Sequence, residues 1–290
     1  MVQPVYSVED STALLYVTCR IVARDTNGKE SIGTGFFFSY PAGPGKALQV
    51  LVTNKHVVAN AVAYDLYFHE AEGEPGEHFR PSGKIHGFRL RMLDQGWFNH
   101  PSDDVDLCAM PIEPFRQEAE RAGKKLFLTT LSTEHIPDDH VIHQLLALES
   151  VTMIGYPIGL WDKVNNLPIS RRGMTATHPR VDFNGKRIGV VDIAAFPGSS
   201  GSPVLIVNEG GYAIPGGFVA GGSRILLLGI LYAGPQFEAD GSLEIKEIPT
   251  IWTASFSVAL PVHLGFYIKS QELLELGKIL FEADSRAKEV

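Results

Sequence analysis

The chain has 290 residues, 44% of them hydrophobic and 20% charged, with a net charge of −8. That balance excludes a wholly disordered chain, and at about 150 residues per unit the length accommodates roughly two structural units with real cores. No apolar run of about 18 residues is present, so no membrane-spanning helix is expected, and the acidic balance without a basic stripe argues against a nucleic-acid partner.

The first segment reads as strands. Leu15, Val17, Cys19, Ile21 and Ala23 alternate onto one face, a period of two. Asn27-Gly28 then signals a hairpin, and Ile32 to Phe38 is the returning strand. Ala47 to Thr53 is a short apolar run expected as a buried strand. Tyr64 to Phe68 and Gly87 to Leu93 are further strands, with Glu70 to Gly76 as a loop between them. Leu107 to Ile112 closes this half. Glu113 to Lys125 is helix-like, and the stretch to Asp139 has little periodicity, so residues 113–145 are expected to connect an N-terminal unit, 1–112, to a C-terminal unit, 146–290.

In the second unit Ser150 to Gly155, Ile188 to Ala195, Pro203 to Val207, Ile225 to Ala233 and Ser255 to Val262 read as strands, with Asn184-Gly185 as a second hairpin signal. Gln271 to Glu282 carries Leu273, Leu276 and Leu280 at helical spacing, with Leu274 and Phe281 beside them. Strands without intervening helices exclude parallel βαβ units and predict an all-β chain of two packed barrels or sandwiches with a C-terminal helix. Cys19 and Cys108 lie in apolar strand-like runs and are expected to be reduced core residues. The opening MVQPVYSVEDST shows no basic region followed by an apolar stretch, so a cytoplasmic location without a secretory signal is expected.

Three stretches carry chemistry. A buried strand runs into Thr53-Asn54-Lys55-His56, an aspartate enters a strand at Asp106-Leu107-Cys108, and a tight turn holds Gly198-Ser199-Ser200-Gly201-Ser202-Pro203. A serine hydroxyl is a poor nucleophile unless a base takes its proton, and the base needs a third group to hold its tautomer. Histidine, with an unperturbed pKa near 6.5, can act as base and then acid. Glycines beside the serine let backbone N–H groups point outward as an oxyanion hole. Taken singly, the histidine reads as a structural residue, the aspartate as a strand-end cap and the Gly-Ser turn as a loop.

As an ordered set these stretches resemble the trypsin-like serine peptidase family, in its disulfide-poor bacterial branch of Deg/HtrA-type and glutamyl-endopeptidase-type enzymes. Gly33-Thr34-Gly35-Phe36, Gly155-Tyr156-Pro157, Gly229 to Gly234 and Ala259-Leu260-Pro261-Val262 extend the resemblance over roughly residues 12 to 282. It implies two antiparallel six-stranded β-barrels with a site between them. His56 would be the base, Asp106 its orienting partner and Ser200 the nucleophile. The N–H groups of Gly198 and Ser200 would form the oxyanion hole, and a peptide or protein substrate would lie along Tyr232, Ala233 and Gly234. Cys108 departs from the family's alanine and Ser199 from an aspartate seen in digestive members, and the peptide-binding module of Deg-type members is not expected here.

Asp103 and Asp104 compete for the third role, but only Asp106 directly precedes the apolar pair. Nothing charged stands at Ala194, Tyr232 or Ser257, which predicts cleavage after small or apolar residues with Arg, Lys and Glu disfavoured. Asp192 and Arg180 are the charges that would overturn this. Arg171-Arg172 reads as a pair of solvated charges. His135, His140 and His143 lie near Asp138 and Asp139, yet no metal motif is present, so no metal and no cofactor are expected. Two alternatives stay open: a signalling protease ordered by an activating protein partner, and a binding module without turnover.

Overall fold

The computed structural model describes residues 6–8, 10–74, 77–91, 96–244, 253–261 and 263–288, with side chains described outside 6–7, 77, 236–262 and 284–288. The chain is all-β with a C-terminal helix. Strand Thr18–Arg24 pairs antiparallel with Glu30–Pro41 through five loop residues around Asn27-Gly28, so the hairpin signal marks a wider turn than a two-residue one. Leu15 lies in the short 3₁₀ turn Ala13–Tyr16 ahead of the strand. Both faces of Thr18–Arg24 are buried, so the apolar alternation captured only one of two covered faces.

The first half is a ten-stranded sheet whose main path runs from Glu77–Arg91 through Ala63–Glu74, Thr18–Arg24, Glu30–Pro41, Ala47–Thr53 and Cys108–Pro111 to Phe98–Asn99. Among the described residues this path does not close on itself, in contrast to the six-stranded barrel expected there. Of the stretch expected as the 70–76 loop, residues 70–74 are instead strand, with Glu72 paired to Arg80 and Glu74 to Glu77, and residues 75–76 lie outside the described residues. Helix Glu113–Arg121 forms as expected. Beyond it Leu126–Phe127 and Thr129–Ser132 are strands that join the first sheet, the latter parallel to Glu30–Pro41.

The second half is a closed six-stranded barrel of Ser150–Gly155, Ile169–Thr175, Ile188–Asp192, Leu264–Lys269, Arg224–Ala233 and Pro203–Asn208. Asn184 and Gly185 both take positive φ, 52° and 72°, as a two-residue hairpin turn requires. The strand at Thr253–Pro261 exists but, among the described residues, pairs only with Gln236–Glu244 in a separate hairpin. The barrel strand that feeds the terminal helix is therefore Leu264–Lys269, a correction to the place given Ala259 to Val262; Val262 itself lies outside the described residues.

Three apolar cores follow. One fills the first sheet around Ile21, Leu51, Leu66 and Phe68. Another fills the barrel around Val151, Val191, Val204 and Tyr267. The third spans the two halves, joining Phe36, Phe38 and Val50 to Ile154, Leu205, Leu227 and Ile268, and helix Glu272–Lys288 lays Leu273, Leu276 and Leu280 onto it. Leu274 faces solvent, while the Tyr40 hydroxyl donates to the Leu273 carbonyl at 2.8 Å. Leu276 is fully buried in this shared core. Leu276→Ala is therefore expected to cost about 2–5 kcal/mol, read as a lowered urea midpoint at constant slope; a shift below 0.5 kcal/mol would show that the helix is a loose appendage.

Cys19 and Cys108 are both buried and unpaired. Burial pushes the Cys19 thiol up to about 12. No helix among the described residues is long and apolar enough to cross a membrane.

Candidate active site

Strand Ala47–Thr53 ends at the buried Asn54, and a single helical turn, Lys55–Val58, turns His56 out of the sheet. The neighbouring strand Cys108–Pro111 pairs with it in the register Thr53 to Cys108 and Val52 to Ala109. That register sets Asp106, two residues before Cys108, opposite the turn that carries His56. The Asn54 amide donates to the Asp106 carbonyl at 2.8 Å and fixes the approach. One carboxylate oxygen of Asp106 accepts the His56 backbone N–H at 3.0 Å, and the other faces His56 Nδ1 in a short contact. Asp103 and Asp104 are exposed, and among the described residues Asp106 is the carboxylate that meets the histidine.

Ser200 arrives from the other half. Its turn is docked on Thr34, a fully buried residue of strand Glu30–Pro41. Thr34 N–H donates to the Ser200 carbonyl at 2.9 Å. Thr34 Oγ1 donates to the Gly198 carbonyl at 3.0 Å and accepts from Tyr156 N–H at 3.1 Å. The Thr34 carbonyl in turn accepts from Thr53 Oγ1 at 2.7 Å, three residues before His56. Gly201 sits so close to this joint, at φ +86°, that a Cβ there would lie 1.9 Å from the Thr34 carbonyl oxygen. Ser199 is fully buried, whereas Ser200 is half-buried. Among the described residues neither Ser200 Oγ nor His56 Nε2 has a hydrogen-bond partner. No hydrogen bond joins the two.

The Ser199 N–H donates to the Phe196 carbonyl at 3.0 Å, and the Gly201 N–H to the Leu231 carbonyl at 2.8 Å. The N–H groups of Gly198 and Ser200 make no such bond among the described residues. Ile158 N–H draws the Pro197 carbonyl away at 2.5 Å. Ile158 does this from a left-handed backbone, φ 45°, a conformation that costs a β-branched residue about 1–3 kcal/mol. Gly198, at φ +88°, has no room for a side chain: a Cβ would lie 2.5 Å from the Tyr156 carbonyl oxygen. The turn therefore presents two unengaged donors on either side of a third that is tied down.

Tyr232 is half-buried near Asp106; burial first, and the Asp106 charge second, push its phenol up. Its strand carries a register shift between Leu231 and Ala233, and Gly234 is exposed at the strand's end. Ser257 lies outside the residues whose side chains are described. Asp192 faces solvent, and Arg180 is exposed with its guanidinium against His143 Nδ1 at 3.1 Å.

Ala194 itself brings no charge, but Arg171 donates from Nη1 to its carbonyl at 2.6 Å and to Ser199 Oγ at 2.8 Å. Arg171 lies on strand Ile169–Thr175, not in a solvated charge pair; Arg172 alone is exposed. His135 is buried, with Nδ1 accepting the Ser132 N–H and Nε2 facing the Val8 carbonyl. Among the described residues no group of three His, Cys, Asp or Glu side chains is placed to hold a metal ion.

No family model and no curated protein matches the chain. Among solved structures it is similar to the HtrA-type protease AlgW with tripeptide, at 15% identity over 94% of this chain and 62% of that one, TM-score 0.47. It is similar too to the serine endoprotease from Yersinia pestis, at 15% identity over 93% of this chain and 64% of that one, TM-score 0.45. The chain spans less than two thirds of the length of either.

Proposed function

We propose that the chain is a serine endopeptidase working through His56, Asp106 and Ser200 and an acyl-enzyme intermediate. The observation that carries this is the two-point grip of Asp106 on His56. With the carboxylate on both the backbone N–H and Nδ1, the ring proton is held on Nδ1 and the lone pair is left on Nε2. Ser200 Oγ attacks the scissile carbonyl carbon as its proton passes to Nε2. The carbonyl oxygen becomes an oxyanion held by the N–H groups of Gly198 and Ser200. Collapse breaks the C–N bond, and the imidazolium returns its proton to the leaving amine. Water then repeats the sequence on the Ser200 ester. The substrate would add a strand along Tyr232 to Gly234.

A fluorophosphonate probe with peptide mapping tests the assignment, the adduct being expected on Ser200. Gly198→Ala keeps its N–H but has no room for a Cβ at φ +88°, so the donor is expected to swing out of place and kcat to fall by up to about 10²–10³-fold, the scale of one lost oxyanion donor. Steady-state kinetics on a peptide check it, and an unchanged kcat would move the hole elsewhere.

One observation favours a partner-activated form of the same enzyme: Ser200 has no hydrogen bond to His56 in the free chain. Labelling that rises on adding a cell extract would identify this form, and equal labelling with and without extract would exclude it.

A further inference from the structure

Arg171 is a largely buried cation that the proposed chemistry does not use. Its Nη1 is committed to the Ala194 carbonyl and Ser199 Oγ. Its Nε and Nη2 are buried and have no hydrogen-bond partner among the described residues. Burial alone pushes the guanidinium down to about 10, with no carboxylate acting against it. The remaining Nε–Nη2 edge is the fork that holds a carboxylate through two parallel hydrogen bonds. A buried charge left without a counterion is strongly unfavourable, so an anion supplied from outside the chain completes this group best.

The place of the fork says which anion. Its two anchors are Ser199, next to the proposed nucleophile, and Ala194, six residues before it. On the endopeptidase reading, a substrate side chain on the acyl side of the scissile bond is expected beside the Ala194 segment and Tyr232, positions that bring no charge of their own. We propose that Arg171 is the specificity-determining residue of this pocket and selects glutamate or aspartate on the acyl side of the cleaved bond. This rests on the endopeptidase reading. It reverses the expectation that glutamate is disfavoured, and it strengthens the exclusion of arginine and lysine, which would meet a like charge. The fork is covered in the free chain, so the carboxylate reaches it by a side-chain shift of the kind common on binding.

The test is a peptide series varied only at the acyl-side residue, run on the full chain beside fluorophosphonate labelling. Wild-type kcat/KM is expected to be at least about tenfold higher for Glu or Asp than for the matched Gln or Asn peptide. Arg171→Met should still label at Ser200 but bring the Glu-to-Gln ratio near or below one, and Arg171→Lys should keep part of the preference. Labelling at Ser200 with equal cleavage of Glu and Gln peptides, or faster cleavage after Lys, would overturn the selectivity and leave the peptidase standing. If Arg171→Met slowed every peptide by the same factor, Arg171 would only hold the loop through Nη1, and the proposal would fall. Loss of both labelling and cleavage in the wild type would remove the peptidase reading, and the selectivity with it. The wild-type ratio decides the matter even if the methionine variant fails to fold.

Discussion

Ser200→Ala is expected to abolish fluorophosphonate labelling and to lower kcat about 10⁶-fold, the scale on which loss of the nucleophile is felt in a serine peptidase. No neighbour can substitute. Ser199 is fully buried and its hydroxyl is held by Arg171, and Ser202 is fully buried as well. Ser199→Ala should therefore still carry the adduct at Ser200. Active-site titration, mass mapping and turnover on one peptide read the three chains side by side. An adduct on Ser199, or equal labelling of the Ser200 variant, would end the assignment.

Asp106→Asn should lower kcat about 10⁴-fold while the unfolding midpoint stays close to wild type. The reason is the two-point grip. A carboxylate offers two acceptors, one to the His56 backbone N–H and one to Nδ1. A carboxamide offers one acceptor and one donor. If its oxygen keeps the backbone N–H, its NH₂ faces the ring and forces Nδ1 to accept. The ring proton then moves to Nε2, where the serine proton has to go. Asp103→Asn and Asp104→Asn, both exposed, should change stability by less than about 0.5 kcal/mol and leave kcat near wild type. A loss at Asp104 comparable with that at Asp106 would contradict the register that pairs Thr53 with Cys108.

The parts of the site that a reader of the sequence could find are those whose signal is local. His56 follows a buried strand end, Asp106 precedes an apolar pair, and Ser200 sits among glycines; each is marked within a few residues. Arg171 is marked nowhere. Its strand, Ile169–Thr175, does alternate in burial, but the inward positions are Ile169, Arg171, Gly173 and Thr175. A period of two carried by arginine and glycine gives no hydrophobic signal. Leu264–Lys269 is hidden for a different reason. The apolar run just before it reads as the better strand, but it pairs with Gln236–Glu244 while Leu264–Lys269 takes the place in the barrel. The first sheet's breadth likewise depends on Thr129–Ser132 pairing with a strand nearly a hundred residues away. Long-range pairing of this kind leaves no mark on a short window of sequence.

Thr34 has a consequence of its own. On the triad assignment, His56 and Asp106 belong to one half of the molecule and Ser200 to the other, and one buried side chain with its own peptide groups fastens the nucleophile turn to the strand end that presents the base. Alignment of the reacting atoms is then a coordinate of the joint and of the core that spans the halves, which the core within either half does not control on its own. A perturbation can leave each half as stable as before and still silence the chain by tilting one against the other, and a molecule that braces the joint can raise turnover without touching the substrate.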